Sequence, residues 1–394
     1  MKALCWQGKK DLRCEEVPDP IIEAPRDAIV EVTSCAICGS DLHLWDGLVP
    51  TMCKGDVMGH EMMGRIVDVG KEANGSGGGL KVGDRVVVPF TIVCGECEQC
   101  RKGNYSVCRR TNRNAALGDA FFGHHTAGIF GYSHITGGYA GGQAEYLRVP
   151  YADTTLIKVP EGPSDETLLF LGDIFPTGWQ AAWQCDIQPT DTVAVWGCGP
   201  VGQFALRAAR MLGAERVIAI DDVPERLVMA QEGGAETIDR SQVNVLAQLN
   251  EMTRGEGPEK CIDAVGMEAH GPTPALEMID RVMTGLKMET ERPTAVREAI
   301  MACQVGGTVS IAGVYGGLAN MIPLGALMNK ALTIRTGQTH VQRWAKELLQ
   351  RIENEEIDPA VIVTHVESLA RGPEMYRKFR DKEDGCVKVV LKPR

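Results

Sequence analysis

Short apolar runs broken by glycine and proline dominate the first half of the chain. Ala28 to Thr33, Gly64 to Val69, Asp84 to Pro89 and Ala144 to Val149 are rich in Val, Ile and Ala, with turn residues between them. This spacing predicts short strands in an all-β, barrel-like domain. Met1 to Trp6 also reads as a strand. Asn74 to Gly79 is glycine-rich, but the strand-like run Asp84 to Pro89 follows and no helix pattern opens there, so it reads as a turn.

The pattern changes near Pro176. Thr192 to Trp196 is a short apolar strand, Pro200 to Leu212 carries apolar residues at helical intervals, Arg216 to Ile220 is strand-like and Pro224 to Gly233 helical. Cys261 to Val265, Gly307 to Ala312 and Ala331 to Arg335 continue the strands. Alternation of this kind over about 150 residues predicts a parallel, doubly wound sheet. Beyond His340 the pattern predicts a helix over Val341 to Glu353 and a final strand over Val387 to Leu391.

Inside the alternation, Gly197-Cys198-Gly199-Pro200-Val201-Gly202 follows a strand and opens a helix, and Asp221 ends the next strand nineteen residues after Gly202. Together these features are a dinucleotide fingerprint. Gly197 and Gly199 let the backbone turn and approach a pyrophosphate at the positive helix N-terminus, and Gly202 lets the helix pack against the sheet. Asp221 is placed to accept hydrogen bonds from both adenosine ribose hydroxyls and to repel a 2′-phosphate, which favours NAD over NADP. For Arg226 two readings stand: it lies along the adenine edge, or it is a solvated surface residue.

Composition narrows the class. Of 394 residues, 44% are hydrophobic and 24% charged, the mix of a folded chain with a full core. With 41 Lys and Arg against 52 Asp and Glu, the net charge of −11 argues against a nucleic-acid partner. No run of about 18 apolar residues is present to span a membrane. The N-terminal strand has no apolar signal core, so a cytoplasmic protein is expected.

Fourteen cysteines in so long a chain point to metal rather than to disulfide staples. Cys5, Cys14, Cys185, Cys261, Cys303 and Cys386 read as small buried hydrophobes. Cys94, Cys97, Cys100 and Cys108 instead crowd one loop and could close a tetrahedron of thiolates with no position left for substrate, a structural zinc site. An iron–sulfur run would bring its fourth cysteine after three residues, followed by proline; here the gap is seven and Arg109 follows.

A second, dispersed set is Cys38-Gly39-Ser40-Asp41-Leu42-His43 with Gly59-His60-Glu61. With Lys81-Val82-Gly83-Asp84-Arg85-Val86, the cysteine lobe and the dinucleotide turn in the same order, the chain resembles the zinc-containing medium-chain dehydrogenases over nearly its whole length. Gly141 to Tyr146, Val149 to Asp153, Leu171 to Gly178 and Asp263-Ala264-Val265-Gly266 make it look most like the glutathione-independent formaldehyde dehydrogenase and dismutase branch.

The resemblance implies an α/β fold: a catalytic, mostly β, GroES-like zinc domain at 1–177, an NAD-binding Rossmann domain at 178–340, and residues 341–394 returning to the first. It implies two zinc ions per chain, NAD, and a homodimer or homotetramer. Cys38, His60 and Asp173 would be the catalytic zinc ligands, with Asp41 orienting His60 and Val265 at the cofactor. Asp173 stands where many relatives have cysteine; a carboxylate donates less electron density than a thiolate and leaves a stronger Lewis acid. Glu61 either tunes the metal or is structural.

The reaction expected is hydride transfer between NAD and a small alcohol or hydrated aldehyde. Ser40 would take the hydroxyl proton and pass it through the cofactor ribose to His43 and solvent. Competing readings are an aldehyde dismutase that retains its NAD(H) and a non-enzymatic nucleotide-binding redox sensor. Gly39 stands where many relatives place Arg or His against the pyrophosphate. The stretch from His270 to about Thr294 is extra, either a lid over the adenine or a peripheral loop. Asn112 to Tyr139 is also extra, either a pocket wall or an exposed loop; its His124, His125 and His134 show no metal-ligand spacing.

Overall fold

A computed structural model describes residues 1–73, 79–268, 293–316, 319 and 321–394. Most of the Asn74 to Gly79 turn and of the His270 to Thr294 stretch therefore lies outside the described residues. The chain divides into two compact units, Met1–Pro176 with Thr339–Arg394, and Thr177–Gln338.

The first unit is built on the strand Ala28–Ile37, whose Val30, Val32, Cys35 and Ile37 are buried. One edge pairs antiparallel with Glu61–Val69, and that strand in turn with Arg85–Val88. The other edge is shared: Tyr146–Val149 covers Ala28 to Glu31, and Val389–Lys392 covers Cys35 to Ile37. The C-terminus thus supplies a strand at the centre of the N-terminal sheet. The helix Val341–Glu353 buries Val341, Trp344, Ala345, Leu348 and Ile352. That i, i+3, i+4, i+7, i+11 set makes one apolar stripe.

The second unit is a six-stranded parallel sheet in the order Glu236–Asp239, Arg216–Asp221, Thr192–Trp196, Lys260–Asp263, Thr308–Ile311, Thr333–Thr336. Numbered along the chain this is 3-2-1-4-5-6, the order of a doubly wound Rossmann sheet. Pro200–Met211 and Pro224–Glu232 both begin with proline at the first helical turn, where its missing N–H costs nothing. No helix among the described residues is long and apolar enough to cross a membrane.

Several strands end away from the bounds that hydropathy predicts, three of them for an evident local reason. Lys260–Asp263 stops two residues before Val265 because the Asp263 carboxylate accepts the N–H groups of Val265 and Gly266. The last strand of the sheet starts at Thr333 because Ala331 is left-handed, with φ of 51°. The C-terminal strand starts at Val389, since the N–H groups of Val387 and Lys388 donate to the Thr364 hydroxyl instead.

Candidate active site and metal centres

In the cysteine lobe all four thiols are buried, with Cys94 Sγ 4.0 Å from Cys100 Sγ and Cys97 Sγ 3.9 Å from Cys108 Sγ. Those separations are far too long for a disulfide, near 2.05 Å. They fit the ~3.8 Å edge of a tetrahedron with zinc–sulfur bonds of about 2.3 Å. The N–H groups of Glu96 and Cys97 point at Cys94 Sγ, at 3.4 and 3.3 Å. The Cys100 thiol and backbone N–H groups pull Cys108 down to about 4, so a thiolate is stabilised in this lobe. Arg26 braces the loop, bonding Asp153, Glu96 and the Cys94 carbonyl.

The dispersed set is also brought together. Donor atoms of Cys38, His60, Glu61 and Asp173 all lie within 4.8 Å of one another, and all four residues are buried. His60 Nε2 is 3.3 Å from Asp173 Oδ2, and Cys38 Sγ is 3.9 Å from the same oxygen. Asp41 sits on the opposite ring nitrogen, with Oδ1 3.0 Å from His60 Nδ1. A histidine held this way presents Nε2 to a metal. Cys38 precedes the short helix Gly39–Trp45, whose first turn carries Asp41; the Cys38 N–H donates to Asp41 Oδ2 at 3.0 Å. The space around Gly39 is open, with nothing within 4 Å of an added Cβ.

Electrostatically the cluster is a hole for a cation. Burial pushes the His60 imidazole down, but Asp41, Cys38 and Asp173 outweigh it and hold His60 well above its usual value. Burial pushes the Cys38 thiol up. Glu61 Oε2 is buried and has no hydrogen-bond partner among the described residues. An orphaned carboxylate oxygen is costly without a cation nearby, so the donor set fits zinc.

Ser40 lies on two of these donors, its Oγ 3.2 Å from His60 Nε2 and 3.4 Å from Cys38 Sγ. His43 is 4% exposed, so proton release from it to bulk water needs a further carrier. Phe90 and Tyr132 stand edge-on to the His60 ring, at 6.5 and 6.1 Å between centroids.

Four participants escaped the sequence reading: Lys388, Gln143, Tyr376 and Tyr132. Lys388 Nζ donates to Glu61 Oε1 at 2.7 Å, with both side chains 0% exposed. The signal was a lysine inside the apolar run Val387 to Leu391. Tyr376 donates to Gln143 Oε1 at 2.8 Å, and Gln143 Nε2 donates to Asp41 Oδ2 at 3.3 Å. A buried polar chain therefore ends on the carboxylate that orients His60. Two readings need correction. Cys14 is only half-buried, unlike Cys5, Cys185, Cys261, Cys303 and Cys386. His134 and the pair His124 and His125, which lack ligand spacing in sequence, each join a cluster with carboxylates in space. In the segment 112–139, Tyr132 stands edge-on to His60, while Phe121 and Phe122 are exposed.

The glycine turn sits at the end of Thr192–Trp196, beside the point where the strand order reverses. Gly197 has φ of 86°, and a Cβ on it would fall 2.7 Å from the Val265 side chain. Pro200 and Val201 open the helix. Asp221 is 5% exposed; Oδ2 accepts the Cys198 N–H at 2.6 Å, and Oδ1 those of Asp222 and Val223 at 2.8 and 3.0 Å. A carboxylate has about four acceptor positions, and these three N–H groups hold it in place. Arg226 lies against the turn, Nη1 3.9 Å from Asp221 Oδ2 and 3.7 Å from where a Gly199 Cβ would be.

A Cβ on Gly202 would stand 1.8 Å from the Gly197 carbonyl oxygen. Gly202→Ala is therefore expected to cost about 1–3 kcal/mol through overpacking and to abolish dinucleotide binding. Urea unfolding and a fluorescence titration with NAD(H) measure the two effects.

Comparison with known proteins accounts for the same regions. Residues 24–161 match the alcohol dehydrogenase GroES-like domain and residues 200–280 the zinc-binding dehydrogenase domain. The chain is 42% identical to an uncharacterised zinc-type alcohol dehydrogenase-like protein of Bacillus subtilis, over 100% of both chains. It is 32% identical to the formaldehyde dismutase of Pseudomonas putida, covering 100% of this chain and 97% of that one. Among solved structures, the alcohol dehydrogenase TADH of Thermus sp. ATN1 is similar with a TM-score of 0.82 and 34% identity over 100% of both chains. With that likeness over the whole length, the chain belongs to the zinc-containing medium-chain dehydrogenase family, and formaldehyde-converting enzymes are among its homologues.

Proposed function

We propose that this oxidoreductase oxidises small alcohols and hydrated aldehydes of the formaldehyde type with NAD. The observation that carries the proposal is the Ser40 hydroxyl seated on Cys38 and His60, two donors of the cluster that Asp173 completes. Cys38, His60 and Asp173 would hold a zinc that would supply Lewis acidity, and Gly197, Gly199, Pro200, Val201, Gly202 and Val265 would hold NAD, which would supply the hydride acceptor. The protein does the rest. Asp41 fixes the His60 ring, Ser40 Oγ takes the substrate hydroxyl proton as it releases its own, and His43 carries the released proton onward. Phe90 and Tyr132 narrow the space beside His60, which favours small substrates. The Asp221 charge, pinned by backbone N–H groups, repels a 2′-phosphate and so selects NAD. Glu61, with one oxygen bonded to Lys388 and the other without a hydrogen-bond partner among the described residues, would tune the metal. A second zinc in the Cys94, Cys97, Cys100 and Cys108 lobe is structural.

The edge strand Thr333–Thr336 is exposed along its whole length, and Leu324 and Met328 before it are 68% and 78% exposed. An open edge with apolar neighbours supports a homodimer or homotetramer joined there. The cytoplasm is the proposed location.

A panel of small alcohols and aldehydes, with NAD, with NADP and with no added cofactor, tests this reading. NAD-linked oxidation of formaldehyde and short alcohols is the expected result. Zinc-loaded protein that reduces NAD with none of them would overturn it. Equal acid and alcohol from formaldehyde alone would replace dehydrogenation by dismutation, the activity named for the Pseudomonas putida relative.

A further inference from the structure

Away from both zinc sets, three donors of different chemistry meet near the surface: Cys53, Asp56 and His134. Their ligand atoms lie within 4.8 Å of one another. His134 Nε2 is 3.2 Å from Asp56 Oδ1, a spacing like the 3.3 Å between His60 Nε2 and Asp173 Oδ2 in the active-site cluster.

The residues are held in place by their backbones. A tight turn joins Cys53 to Asp56: the Asp56 N–H donates to the Cys53 carbonyl at 3.1 Å, and the Cys53 N–H to Asp56 Oδ2 at 2.7 Å. Asp56 is anchored in sheet pairing with Trp6. His134 opens a short helix tied to the same turn, its N–H donating to the Thr51 carbonyl and that of Ile135 to Thr51 Oγ1 at 3.2 Å. Any Cβ at position 138 would stand 2.7 Å from His134 Nδ1, so Gly138 makes the room in which the ring lies with Nε2 toward Asp56.

Thiolate, imidazole and carboxylate are a donor set for a borderline-soft divalent cation. Three protein ligands with a fourth position left for water is a common zinc arrangement. We infer that Cys53, Asp56 and His134 form a third zinc site, which staples the turn 51–56 to the helix His134–Thr136. The other surface cluster, Asp119 with His124 and His125, is a poorer match. It lacks a thiolate, and both imidazoles crowd one oxygen, Asp119 Oδ1, at 3.5 and 2.9 Å.

Zinc content counted by elemental mass spectrometry, after equilibration with Zn2+ and desalting, tests the site in the full chain. Cys53→Ser and His134→Ala are each expected to hold one equivalent fewer than wild type, and His124→Ala the same number as wild type. Cys53 is the one cysteine classed as exposed among the described residues, which gives a readout independent of any variant. Zinc should slow its alkylation by iodoacetamide at least tenfold in wild type and leave His134→Ala unprotected. Equal zinc content in wild type and both site variants, or alkylation of Cys53 that zinc leaves unchanged, overturns the assignment. Neither readout depends on the proposed substrate or on NAD.

Discussion

Ser40→Ala is expected to lower kcat by about 10²–10⁴-fold, the usual contribution of a positioned proton-transfer group, while zinc content stays at the wild-type level. The Ser40 hydroxyl lies 3.2 Å from His60 Nε2 and 3.4 Å from Cys38 Sγ, and a serine hydroxyl is not among the usual zinc ligands, which are thiolate, imidazole and carboxylate. Removing Oγ therefore takes away the proposed proton relay and leaves the side chains of Cys38, His60 and Asp173 in place. KM should move little, because a loss felt at the transition state lowers kcat and kcat/KM together. Ser40→Thr keeps a hydroxyl and should recover much of the rate. Steady-state kinetics beside a zinc assay decides the matter: turnover within a few fold of wild type would remove Ser40 from the proton path.

Lys388→Met should cost about 3–5 kcal/mol, the price of leaving one member of a buried ion pair alone. Lys388 and Glu61 are fully buried, 2.7 Å apart, and Lys388 also donates to the Ile37 carbonyl at 2.9 Å. Without the ammonium, the Glu61 carboxylate is left beside Asp173 and Cys38. Against a total stability of about 5–15 kcal/mol, that loss shows as a large fall in the urea midpoint. Glu61→Gln with Lys388→Met removes both charges at once and should regain most of it. If the double variant is no more stable than Lys388→Met alone, the pair is not what holds this part of the fold.

The parts of the site legible in the sequence are those in which neighbouring residues do the work together. The glycine turn needs only a strand before it and a helix after it, and Gly197 to Gly202 sit between Thr192–Trp196 and Pro200–Met211. The four cysteines of the lobe lie on one loop and have few alternatives. Strand and helix alternation along the second unit is likewise a local pattern. For Cys38, His60 and Asp173 periodicity said nothing; family likeness joined them, and the sheet brings their donors together.

Partnerships that span the chain were closed to the sequence. Glu61 meets Lys388 across 327 positions, Asp41 meets Gln143 across 102, and His134 reaches Asp56 across 78. The first depends on which strands share an edge: Lys388 reaches Glu61 because the C-terminal strand inserts beside Ala28–Ile37, whose other edge carries Glu61. Strand ends at Asp263 and Val389 were set by side chains that capture backbone N–H groups, an effect hydropathy does not register. What the sequence determined by itself was the alternation of elements and the two compact motifs, because hydropathy and turn chemistry act between near neighbours. The charge balance around Glu61, the orientation of His60 and the meeting of Cys53 with His134 were decided by tertiary structure, because burial and sheet register bring together residues that are far apart along the chain.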